Sequence, residues 1–139
     1  MANLTRKSVA ALVLFVCGLA VGRAYQPASS KVYEMRTYTA TEGNLDAVNA
    51  RFRDHTIKLF EKHGMKSVGY WMPTDGPAAG TTLIYILEHP SREAAKANWS
   101  AFSADPDWQK AKAASEVNGR IVAKAESVFL TATDYSPIK

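Results

Sequence analysis

Glu34, Arg36 and Tyr38 alternate with Tyr33, Met35 and Thr37 in a stretch rich in aromatic and β-branched residues. Alternate side chains of an extended strand share a face, so a carboxylate, a guanidinium and a phenol are expected side by side. A guanidinium is a planar fork that matches the two oxygens of a carboxylate or enolate and keeps its charge when desolvated. Tyr38 would add a hydrogen-bond donor. These three are taken as candidate ligand-binding residues on the sheet face that would line a cavity, with Lys124 and Glu126 of the last strand able to join them. The competing expectation is a polar network, Glu34 and Arg36 pairing with Lys124 and Glu126 across a dimer, because buried charges need partners whatever the function. Tyr70 and Trp71, just before a segment rich in Gly and Pro, are candidates to stack on a flat ligand or to fill a dimer core.

Other chemistry finds less support. No two histidines stand at a metal-ligand spacing such as His-x-His or His-Glu-x-x-His, so no metal site is expected. His55 falls on the apolar stripe of a helix, where a core or edge histidine is expected; His63 closes that helix and His89 ends a strand. Gly76 and Gly80 lie between two strands rather than before a helix, which does not suit a phosphate loop. No Ser-His-Asp order suggests a hydrolase. No cofactor is expected.

The elements that must position these residues follow from periodicity. A strand is expected over 32–38; then Gly43-Asn44 offers a turn and a cap, and Leu45, Val48, Phe52, Thr56, Leu59 and Phe60 recur at helical spacing up to His63-Gly64. A second strand runs over 65–72 and stops at Pro73. Residues 81–88 are apolar on both faces, Leu83, Tyr85 and Leu87 on one and Ile84 and Ile86 on the other, so this strand should be covered twice. Ser91 can cap a helix with a buried stripe of Ala95, Trp99 and Phe102; Asp105-Pro106 starts another that ends at Asn118-Gly119. Trp108 is expected to anchor that helix start by packing. A last strand is expected over 121–131, with Ala123, Ala125 and Ser127 on one face.

This order matches a split β-α-β unit: an α+β, ferredoxin-like four-stranded antiparallel sheet with helices on one face. The uncovered face should meet a second copy, and two such sheets face to face make a barrel wide enough for one small ligand. A homodimer is therefore expected. The chain carries 139 residues and a formal charge of +4, but Arg6, Lys7 and Arg23 lie in an N-terminal leader and the remainder is close to balance. No nucleic-acid partner is expected from that balance. Residues 1–24 read as a secretory signal peptide, a basic start followed by an apolar run too short for a spanning helix. Cleavage after Ala24, a linker over 25–31 and a domain over 32–137 are expected, which places the protein outside the cytoplasm; an uncleaved membrane anchor is the alternative. The only cysteine, Cys17, sits in the leader, so the mature chain has no thiol.

Val-Tyr-Glu-Met-Arg-Thr-Tyr at 32–38, the His-Gly that closes the first helix, Val-Gly-Tyr-Trp at 68–71 and Ala-Asp-Pro-Asp-Trp at 104–108 resemble the NIPSNAP family. The resemblance covers nearly all of 32–137 and implies the dimeric α/β-barrel superfamily, which includes cofactor-independent monooxygenases, muconolactone isomerases, haem-degrading enzymes and proteins of unassigned chemistry. Haem-degrading relatives use an Asn, a Trp and an axial His on a helix. The helices after the third strand here hold Asn98, Trp99 and Trp108 but no His, which argues against haem. Three functions remain. The first is a dimer holding a small apolar or aromatic acid in its barrel. The second is a cofactor-independent monooxygenase or isomerase in which Arg36 steadies an anion and a carboxylate or His55 takes the proton. The third is an interaction module with a filled barrel.

Overall fold

The structure, a computed structural model, describes residues 31–139; the expected leader and linker residues 25–30 lie outside the described residues. Strand β1 (Val32–Ala40) leads through the turn at Gly43 into helix α1 (Leu45–Arg51). A π-helical stretch, Phe52–Thr56, joins it to α2 (Ile57–Lys62), where the Thr56 hydroxyl donates to the Arg51 carbonyl at 3.2 Å. Gly64, at φ +71, then turns the chain into β2 (Lys66–Trp71). Strand β3 (Thr82–His89), α3 (Arg92–Ala104), α4 (Pro106–Ser115) and β4 (Val122–Leu130) complete the order.

Both later helices start on side-chain caps, which satisfy amides that have no partner within the helix. The Ser91 hydroxyl accepts from the Ala94 amide at 3.0 Å and the Asp105 carboxylate from the Asp107 amide at 2.8 Å. Asp105 also takes Lys62 Nζ at 2.8 Å and His63 Nε2 at 2.7 Å, tying the end of α2 to the start of α4. These hydrogen bonds, that from Lys62 foremost, hold its carboxyl well below the usual carboxylate range. Helix α4 is shorter than its sequence promised, closing at Ser115 and not at Asn118-Gly119.

The sheet order is β2-β3-β1-β4, and all three pairings are antiparallel. The expected ferredoxin-like architecture is thus present. Phe52, Phe60, Tyr85, Leu87 and Phe102 fill the layer between sheet and helices, with ring pairs such as Phe52–Tyr85 and Phe60–Phe102 each at 5.1 Å. The other sheet face carries no helix. There Met35, Thr37, Ile84 and Ile86 remain partly exposed, and Val128 is about half exposed. No helix among the described residues is long and apolar enough to cross a membrane.

One expected position fails for a helical reason. His55 is exposed rather than on the stripe, because a π-turn spends an extra residue per turn and carries position 55 round towards solvent while Phe52 and Thr56 stay buried.

Candidate functional site

Register decides which side chains meet. Tyr38 opposes Leu83 on β3 and Ala125 on β4; Arg36 opposes Tyr85 and Ser127; Glu34 opposes Leu87 and Phe129. The face holding Glu34, Arg36 and Tyr38 is therefore the one that α3 and α4 cover. Their expected place on the uncovered, barrel-lining face is corrected. Lys124 and Glu126 oppose Thr39 and Thr37 and so lie on the opposite face, paired with each other at 2.8 Å. They cannot join the cluster.

Glu34, 2 % exposed, takes donors from four separate elements. Its Oε1 accepts from Arg36 Nη1 at 2.7 Å and Ser127 Oγ at 2.6 Å; its Oε2 accepts from Trp99 Nε1 at 2.6 Å and His89 Nε2 at 3.0 Å. Burial alone would raise the pKa, but the hydrogen bonds from His89, Ser127 and Trp99, with the Arg36 charge, bring it from 4.5 down to about 2. Arg36 lies on the Trp99 ring, its Cζ 4.2 Å from the centroid, a favourable cation–π distance. This carboxylate is a hub that orients its neighbours.

The linkage sign follows from that shift. The unfolded carboxyl binds its proton first, so the stabilisation is complete above pH 4.5 and drains away as pH falls towards about 2. Asp105, also depressed, adds in the same direction. Thermal melts are expected to hold steady above pH 5 or so and fall steeply below pH 4.5, with a shallower fall in Glu34→Gln. An unchanged slope in that variant would remove Glu34 from the acid response.

Beside the hub, on the same sheet face, a cavity of about 320 Å³ opens between β1, β4 and the helices. Tyr38 and Ala125 form part of its sheet wall, and Arg51, Trp108, Glu116 and Arg120 much of the rest, with Lys112 also lining it. On the edge strand β4 the small side chain of Ala125 leaves room, and a register shift between Thr39 and Ala40 brings Val122 into the lining beside it. Arg51 is 5 % exposed, gives Nη1 to Ser115 Oγ and Glu116 Oε1 at 3.1 Å each, and leaves a buried Nε without a partner. Its guanidinium sits 5.2 Å from the Trp108 ring centroid, and Trp108 in turn packs on Phe102 at 4.6 Å. Three cations against one paired carboxylate, with two aromatic rings, suit a small acid carrying a flat or apolar body.

Of the five expected ligand residues, only Tyr38 lines this cavity. Glu34 and Arg36 form the hub beside it. Tyr70 belongs to the core, its hydroxyl 2.6 Å from Ser67 Oγ and its ring stacked 5.7 Å from Tyr85. Trp71 lies on the opposite face, 50 % exposed and folded back over Gly69, where a Cβ would come within 2.6 Å of its ring. Sequence reasoning missed Arg51, Lys112 and Arg120 at the cavity, and His89 and Ser127 at the hub. One signal was available for the hub: a Trp on a buried stripe needs an acceptor for its N–H, and Glu34 is the carboxylate of the strand beneath it.

A four-stranded antiparallel sheet in the order 2-3-1-4 with its helices on one face is the protomer fold of the dimeric α/β-barrel proteins. The profile of the NIPSNAP family matches residues 33–137. The chain belongs to that family. Solved structures agree: a NIPSNAP family protein of unknown function from Agrobacterium tumefaciens is similar with a TM-score of 0.69 and 22 % identity, over 80 % of this chain and 96 % of that one. An uncharacterised NIPSNAP-like domain protein from Burkholderia xenovorans gives 0.67 and 15 %, over 79 % and 91 %. SnoaB of Streptomyces nogalater, a cofactor-independent oxygenase, shares the fold at 0.50 and 15 %, over 78 % and 98 %. No curated protein matches the chain.

Proposed function

We propose that this NIPSNAP protein is an exported homodimer that binds a small aromatic or apolar acid. The observation that carries the reading is the cavity between sheet and helices, where the buried Arg51 keeps an unused Nε and the aromatic side chains of Tyr38 and Trp108 line the wall. The ligand thus sits in each protomer rather than in the barrel. Binding is favoured over proton abstraction because the one carboxylate lining the cavity, Glu116, is already held by Arg51 at 3.1 Å. SnoaB's oxygenase activity is a property of that protein. Dimerisation is supported by the bare apolar sheet face and export by the leader over 1–24.

The test uses benzoate and its neutral isostere benzamide as calorimetric probes of the mature chain. Benzoate is expected to bind at least tenfold more tightly than benzamide, since a charged hydrogen bond in a partly enclosed site contributes about 1.5–3 kcal/mol. Arg120→Glu, at an exposed position, is expected to erase that preference without unfolding the protein. Equal affinities for the two probes would remove the acid from the reading.

A further inference from the structure

On the helix-covered sheet face, beside the cavity that Tyr38 lines, two buried donors have no hydrogen-bond partner: the Tyr85 hydroxyl and Nε of Arg36. Register sets the two residues opposite one another on β3 and β1. Tyr85 is wholly buried, and that burial, with the neighbouring Tyr38 phenol, raises its pKa well above the ordinary tyrosine value, so it keeps its proton. The Tyr38 ring stands edge-on to the Tyr85 ring at 5.3 Å between centroids, and its own centroid lies 5.8 Å from Arg36 Cζ. Both phenols lie in the field of that guanidinium. The Glu34 carboxylate is already spoken for, since Oε1 accepts from Arg36 Nη1 and Ser127 and Oε2 from Trp99 and His89.

We propose that Tyr85 and Arg36 address the Tyr38 oxygen from the core side and so turn its proton into the cavity, which selects acids that carry a second oxygen acceptor, such as a ketone carbonyl, on their apolar or aromatic body. This deepens the acid site proposed above and rests on it. An arginine offers no acceptor, and a phenol carries one proton and two lone pairs. With its oxygen engaged from behind, the Tyr38 hydroxyl has only the open side for its hydrogen. Tyr38 touches the ligand; Tyr85 is a positioning residue that acts through it. A buried hydroxyl without a good hydrogen bond is costly, and a site that keeps one where phenylalanine would fill the same space gives up stability for selectivity.

The probes are the 3- and 4-isomers of acetylbenzoate, each compared with the ethylbenzoate of the same substitution, nearly equal in shape but without the carbonyl. In calorimetric titrations of the full chain, at least one acetyl isomer is expected to bind about fivefold more tightly than its ethyl counterpart. Tyr38→Phe is expected to bring that pair to equal affinity. Tyr85→Phe should cut the preference to about twofold or less, the loss falling on the acetyl probe alone, while its thermal midpoint stays level or rises; a merely structural role would weaken both probes together. Equal affinities of acetyl and ethyl probes in both isomers, with benzoate still preferred over benzamide, would overturn this inference and leave the acid site standing. A preference that survives Tyr38→Phe would overturn it too, whereas equal benzoate and benzamide affinities would remove the acid site on which it rests.

Discussion

Glu34→Gln is expected to destabilise the folded chain by about 3 kcal/mol, lowering the thermal midpoint by roughly 10–20 °C for a domain of this size. The reason lies in the partners. Trp99 Nε1 and Arg36 Nη1 can only donate, and they address different oxygens of the carboxylate at 2.6 and 2.7 Å. A glutamine presents one oxygen and one amide nitrogen. Whichever way it turns, its N–H₂ faces one of those two fixed donors; Ser127 can rotate and His89 can change tautomer, but neither relieves that opposition. Glu34→Asp keeps both oxygens and retracts them by one methylene, so it should fall between the two. Urea unfolding monitored by Trp fluorescence checks the order Glu, Asp, Gln. A Gln variant as stable as the parent would mean that the hub adds nothing to the fold.

Val128→Lys is expected to convert the proposed dimer to a monomer, raising its dissociation constant by roughly a thousandfold or more. Val128 sits on the bare sheet face and is 52 % exposed in the protomer, so a lysine there costs the single chain little. In a two-fold face-to-face contact every substitution enters twice. Two ammonium groups would then be desolvated against an apolar sheet without counter-ions, at a cost of several kcal/mol. Light scattering coupled to gel filtration, alongside circular dichroism to establish folding, reads the outcome. A folded Val128→Lys protein that stays dimeric would place the dimer contact somewhere other than this face.

The order of elements was legible because each carries a local signal: β-branched alternation in β1, the Ser91 and Asp105 caps, and Gly64 at a helix end. That Glu34, Arg36 and Tyr38 share a face was equally legible from their spacing. Which face they share was not. Strand β3 is apolar on both sides, so hydrophobicity does not say whether Leu83, Tyr85 and Leu87 or Ile84 and Ile86 meet the helices. Cross-strand register settles it, and register depends on long-range pairing such as Arg36 opposite both Tyr85 and Ser127. The same ignorance sent Lys124 and Glu126 to the wrong cluster. Arg51 escaped notice because a helical arginine reads as a solvated charge until α4 packs over it, and His55 because a π-turn leaves no mark on an apolar repeat.

Time is written into the Glu34 hub as well. Its donors besides Arg36 lie 55, 65 and 93 residues further along the chain, at His89, Trp99 and Ser127. A ribosome delivers them in that order over several seconds, at about 5–20 residues per second. Until β4 emerges, β1 lacks one of its two neighbours and the carboxylate lacks the Ser127 hydroxyl. An incomplete chain therefore cannot bury β1 at full advantage, and the native arrangement is withheld until the last strand is made. The last strand to be made thus completes both the sheet around β1 and the set of donors around its carboxylate.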